Sequence, residues 1–136
     1  MTTVRMHFVA RLTLVAACGI AVLALAACGG SAGVPHFKVS ATVGPQPHRA
    51  TISVIASGSG EAMADVVLTY PDGSKQELVS AHYKDGGSTR HWNDGLPKGK
   101  YTYTVWAIPG GENYTTFPTS GRVEQNIVAS PTITIP

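Results

Sequence analysis

The pattern of apolar and polar positions divides the chain into three parts. From Leu12 to Ala27 the residues are almost all apolar and carry no strand or helix period. Gly29, Gly30, Ser31, Ala32 and Gly33 then follow Cys28, a run too small and flexible to pack. From Phe37 onward, apolar and polar residues alternate with the period of two that a half-buried strand requires. Phe37, Val39, Ala41 and Val43 share one face before Gly44-Pro45-Gln46-Pro47 stops the run. Ala50 to Ala56 repeats the pattern, with Ile52 and Val54 directed inward.

The third run, Ala64 to Tyr70, places Val66, Leu68 and Tyr70 on one face and Asp65, Val67 and Thr69 on the other. Pro71-Asp72-Gly73-Ser74 follows directly: proline presets the turn, aspartate tolerates it and glycine supplies a positive φ, so a hairpin returns into Lys75 to Ala81. The alternation blurs there, which predicts an edge strand. Ser88 to Trp92 is a short strand between two Gly-containing turns. Tyr101, Tyr103, Val105 and Ala107 face one way along the clearest strand, with Thr102, Thr104 and Trp106 facing the other. Val123 to Val128 and the alternating end Pro131 to Pro136 complete the set. Seven or eight short strands at this turn spacing predict an all-β fold over residues 37–136, an antiparallel β-sandwich with short hairpins and at least one Greek-key crossover.

Composition sharpens this picture. Of the ten Lys and Arg residues, Arg5 and Arg11 precede the apolar run, and the remaining eight face eight Asp and Glu. A net charge near zero in the body argues against a nucleic-acid partner and against a polybasic membrane patch. Both cysteines, Cys18 and Cys28, lie before the body, which therefore must be stabilised by packing rather than by a disulfide.

Residues 1–27 have the parts of an export signal: basic residues, an apolar run, then small residues. The run is shorter than the ~20 residues needed to cross a bilayer. Leu25, Ala26, Ala27 and Cys28 resemble the lipobox of bacterial lipoproteins, an aliphatic residue and two small residues before a cysteine. The resemblance implies a diacylglyceryl thioether on Cys28, cleavage just before it, and a mature chain whose residues 28–36 are a lipid-anchored linker. Val15-Ala16-Ala17-Cys18 matches too, but leaves Leu12 to Ala17 as its apolar region, below the ~7 residues required. An ordinary secretion signal, with Cys28 a small apolar residue, is the alternative. The expected location is the extracytoplasmic side of the cell membrane or envelope, with the membrane engaged through the lipid on Cys28.

Leu96, the Pro97 to Gly99 turn and Tyr101 before an alternating strand resemble the approach to the penultimate strand of immunoglobulin-like and fibronectin type III-like domains. That resemblance implies a tyrosine corner at Tyr101, its hydroxyl bonded back to the preceding loop.

Candidate chemistry is sparse. His36, His48, His82 and His91 form no i, i+2 or i, i+4 pair, so no metal or cofactor is expected. A small hydrolase using loop residues around His82 and His91, with Ser80 and Asp85 nearby, is the catalytic alternative. The aromatics carry the stronger expectation. Alternation sends Trp106 away from the core, and Trp92, Tyr83 and Tyr114 on neighbouring loops would extend an aromatic surface for a cell-wall glycan or an envelope protein. In the competing arrangement Trp92 fills the core and Trp106 covers the outside of the sheet alone. The sequence thus points to a non-catalytic envelope binding domain, with an accessory subunit pairing through a sheet edge as a further alternative.

Overall fold

The computed structural model describes residues 33–110 and 114–136. The leader, Cys28 and the first part of the linker lie outside these residues. Among the described residues there are eight strands: β1 (His36–Val43), β2 (Ala50–Ser57), β3 (Ala62–Thr69), β4 (Lys75–Tyr83), β5 (Ser88–Asn93), β6 (Gly99–Pro109), β7 (Ile127–Ala129) and β8 (Thr132–Ile135). They form an antiparallel β-sandwich. One sheet has three strands in the order β1-β2-β5; the other has five, β4-β3-β6-β7, with β8 also paired to β6. The chain crosses between sheets after β2, β4 and β5. With the strands lettered in order, the smaller sheet is A-B-E and the larger contains C-F-G, with the fourth strand beside C.

Alternation explains the core. Phe37, Val39, Ala41, Ile52 and Val54 from the smaller sheet meet Val66, Leu68, Tyr101, Tyr103, Val105 and Ile133 from the larger one, all buried. Each fully buried large side chain contributes about 1.5–3 kcal/mol from apolar burial. Tyr83 ties the sheets together: its ring packs edge-on against Phe37 at 5.5 Å, and its hydroxyl shares a 2.5 Å hydrogen bond with Thr89 Oγ1 on β5. The Tyr101 hydroxyl donates to the Pro97 carbonyl at 2.6 Å, the corner bond expected from the sequence. In the β3–β4 hairpin, Asp72 Oδ1 accepts from both the amide and the hydroxyl of Ser74, so the side chain closes the turn.

Three expectations need correction. Val43 is exposed, because its strand ends there and the chain turns away. Most of Val123 to Val128 is not strand: a 3-10 turn at Glu124–Asn126 leaves only Ile127–Ala129 to pair with β6. Val67 and Asp65, read as the outer side of β3, are buried as well, since β3 is covered on both faces.

That cover is the segment after β6. Phe117 is buried there, with Gly121 so close that a Cβ at 121 would sit 2.9 Å from its ring. Arg122 Nε donates to Asp65 Oδ2 at 2.7 Å, and its Nη2 also reaches Glu77. Ser80 Oγ accepts from the Phe117 amide at 3.2 Å and donates to Asp65 Oδ1 at 3.3 Å.

Candidate functional site

Among the described residues, the outer face of the three-stranded sheet has no such cover. Strand register arranges its side chains in rows: Thr42, Thr51 and Trp92 in one, Ser40, Ser53 and Arg90 in the next, Lys38, Ile55 and Ser88 in the third. Trp92 is 55% exposed. With Thr42, Gly44, Pro45, Arg49, Thr51 and Arg90 it lines a groove of about 390 Å³, within the size range of small-ligand sites, about 300–1,000 Å³. Across β5, the same Arg90 and Trp92 line a second hollow of about 210 Å³ with His91.

The groove wall is held by the turns that build it. His48 stands at φ 60°, and its Nδ1–H donates to the Leu96 carbonyl at 3.0 Å while the Leu96 amide donates to the His48 carbonyl at 2.9 Å. The β1–β2 turn is thereby clamped to the loop leading into β6. Gly44 N donates to the Arg49 carbonyl at 2.9 Å, which fixes the turn's base. From there Arg49 reaches Asp94 with two bonds, Nε to Oδ1 at 2.5 Å and Nη2 to Oδ2 at 3.2 Å. The bond from Arg49 holds the Asp94 carboxyl below its ordinary range. Among the described residues, Arg90 has no carboxylate partner.

The expected aromatic surface is divided. Trp92 faces solvent on β5, so it does not fill the core. Trp106 faces outward from the other sheet, half-buried, opposite Asp65 on β3 and Ile127 on β7. The two indoles therefore lie on opposite sides of the sandwich. Tyr83 is not on a loop but ends β4, 1% exposed against Phe37, so it offers no surface to a ligand. Tyr114 is exposed but does not line the groove.

His82 and His91 do not converge. His82 stands on the outer face of β4, opposite Met63, with Nε2 3.6 Å from Glu61 Oε2, whereas His91 sits on β5 of the other sheet opposite Ile52. Ser80 is engaged with Asp65 and Phe117, and Asp85 Oδ1 accepts from Gly58 N at 2.9 Å. Arg49 and Arg90 were absent from the sequence expectation. A usable signal was present for Arg90, which lies two positions from Trp92 on a predicted strand and so shares its face. Arg49 lies in a turn, and only the fold brings it there.

The groove also has a definite place along the sandwich. Gly33 lies beside the β2–β3 turn, where its carbonyl accepts from Glu61 N at 3.1 Å, and β1 begins at that end. The groove lies at the far end of β1, some six residues or about 20 Å away. No helix of the described residues is long and apolar enough to cross a membrane. No family model matches the chain, and no match was found to a curated protein or a solved structure.

Proposed function

We propose that this protein is a lipid-anchored envelope lipoprotein whose β-sandwich is a non-catalytic binding domain, and that the Trp92 groove receives its ligand, a cell-wall glycan or an envelope protein. The observation that carries the reading is the exposed indole of Trp92 set among Arg90, Arg49, Thr42 and Thr51 on an uncovered sheet face. An exposed ring supplies a flat apolar surface, and the hydroxyl rows beside it supply donors and acceptors. The placement of the groove fits an anchor at Cys28: the chain enters the sandwich at one end and the groove opens at the other, directed away from the lipid. Diacyl anchoring is stable where a single chain is marginal, so Cys28 would keep the domain on the extracytoplasmic surface.

Two measurements test this. In a Trp106→Phe background the remaining indole is Trp92, and titration with soluble peptidoglycan fragments should give a saturable emission change that Trp92→Ala abolishes. A flat titration redirects the search to protein partners by crosslinking in intact cells. Separately, Cys28→Ser should move the protein from the membrane fraction to the soluble one; persistence in the membrane rejects the anchor.

A further inference from the structure

We infer that the groove selects an anionic envelope glycan, with the Trp92 indole stacking on a sugar ring and the Arg90 guanidinium pairing with that sugar's acidic group. The inference rests on the reading of the groove as the ligand site and adds the ligand's charge and form.

Charge comes from the different states of the two arginines. Arg49 is already satisfied by Asp94 through two bonds, so it is close to neutral toward an incoming ligand. Arg90 has no such partner among the described residues, and its five donors remain open to an acidic oxygen pair. Residues 90 and 92 project from the same face of β5, about 7 Å apart along the strand, so a ring over the indole brings its substituents to the guanidinium. A charged acceptor there makes hydrogen bonds roughly twice as strong as a neutral hydroxyl does.

Form comes from the two hollows. Both are bounded by Arg90 and Trp92, one on the β2 side and one with His91. A chain crossing β5 would fill both, and a single small molecule would fill one. The flanking rows are Ser40, Ser53, Thr42 and Thr51 rather than apolar residues, which matches hydroxyl-rich sugar better than the apolar centre of a protein interface. A polynucleotide would need several unpaired cations along its path, and here the second arginine is neutralised. A lipid surface is disfavoured by the position of the groove, at the end of β1 opposite the chain's entry.

The test uses the purified full chain and four probes: an oligouronate, its carboxyl-reduced neutral counterpart, a phosphorylated form of that neutral oligosaccharide, and vesicles containing anionic lipid. The oligouronate or the phosphorylated oligosaccharide should bind about tenfold more tightly than the neutral sugar, and which of the two binds identifies a carboxylate or a phosphate source. Arg90→Gln should erase that preference. Asp94→Asn, which frees Arg49 at an exposed position, should increase it. Equal binding of acidic and neutral sugars, lost in Trp92→Ala but indifferent to Arg90→Gln and Asp94→Asn, overturns the anionic ligand and leaves the glycan-binding domain standing. Failure of all the sugars and of peptidoglycan fragments overturns the inference and leaves the groove to an envelope protein. Vesicle binding that needs Trp92 and Arg90 but not Cys28 replaces the glycan with a membrane surface and overturns the inference.

Discussion

The two outer faces of the sandwich are made from equally regular strands and have opposite fates. On the five-stranded sheet, Met63, Asp65 and Val67 point outward from β3 and are nevertheless buried, because the segment containing Phe117 and Arg122 folds back over them. On the three-stranded sheet, the corresponding positions of β1, β2 and β5 are mostly Ser, Thr, Lys and Arg, and among the described residues nothing returns to cover them. The covered face is pinned by an ion pair that only folding can assemble. The open face keeps a guanidinium and an indole exposed. One face therefore contributes to stability, and the other is free to bind.

The largest effect should come from releasing the cover. Arg122→Ala leaves the carboxylate of Asp65, which has no exposed surface, without its main partner, and should cost about 3 kcal/mol in denaturant unfolding. Trp106 emission should shift to the red as the segment lifts, while the groove around Trp92, on the other sheet, stays unchanged. A loss well under ~1 kcal/mol would mean that apolar contacts such as Phe117 hold the segment without the pair.

Next in size is a contrast inside the layer that both faces share. Tyr101 and Tyr103 are both fully buried, two residues apart on β6, but among the described residues only the first hydroxyl has a partner. Tyr101→Phe should destabilise by about 1 kcal/mol through loss of the bond to Pro97 O, whereas Tyr103→Phe removes a buried hydroxyl with no partner and should stabilise by a similar amount. Matching losses in both variants would show that the ring packing, not the hydroxyl bond, decides the corner.

These residues also mark how far the sequence could be read. Period-two alternation located five of the strands and most of the core, and the resemblance of Leu96 to Tyr101 to the approach of an immunoglobulin-like penultimate strand implied the corner bond, because both rest on local stretches of the chain. Burial of β3 on both sides had a local sign as well: Ala62-Met63-Ala64 and Val66-Val67-Leu68 are apolar on consecutive positions, as in strands covered twice. What covers β3 was not legible, since Arg122 is 57 residues from Asp65 in sequence and lies in the loop before the expected Val123 to Val128 strand. The groove was half legible. Trp92 was singled out, but its neighbours were taken from the aromatic composition, and Tyr83 and Trp106 proved to serve the core and the other face.

Acid titration should give opposite signs on two carboxylates. Burial pushes the Asp65 carboxyl above its usual range, against the opposing pull of Arg122. The folded chain then holds a proton that the unfolded chain has released. Stability relative to Asp65→Asn should therefore be highest below the unfolded value of 3.8 and fall as pH rises through the folded value. The bond from Arg49 lowers the Asp94 carboxyl instead, so the contribution of Asp94 relative to Asp94→Asn should be complete above 3.8 and disappear as pH falls through the lower, folded value. Unfolding free energies of the two Asn variants across the acid range check both slopes, and parallel slopes would contradict the division between a buried and an exposed ion pair.

The smallest stability effect should come from Trp92, the residue on which the proposed binding rests. Trp92 projects from an edge strand with more than half its surface in water, and its ring makes no aromatic pair with another side chain among those found in the described residues. Trp92→Ala should therefore change unfolding free energy by less than about 0.5 kcal/mol, as for surface positions without special partners. Trp106→Ala, on the face where the returning segment packs, should cost clearly more. A large aromatic that contributes little to stability while standing in a concave, hydroxyl-lined site is best explained by a contact outside the molecule. If Trp92→Ala instead destabilised as strongly as Trp106→Ala, the indole would be part of the sandwich's own packing. The open face would then lose its claim to be the binding face.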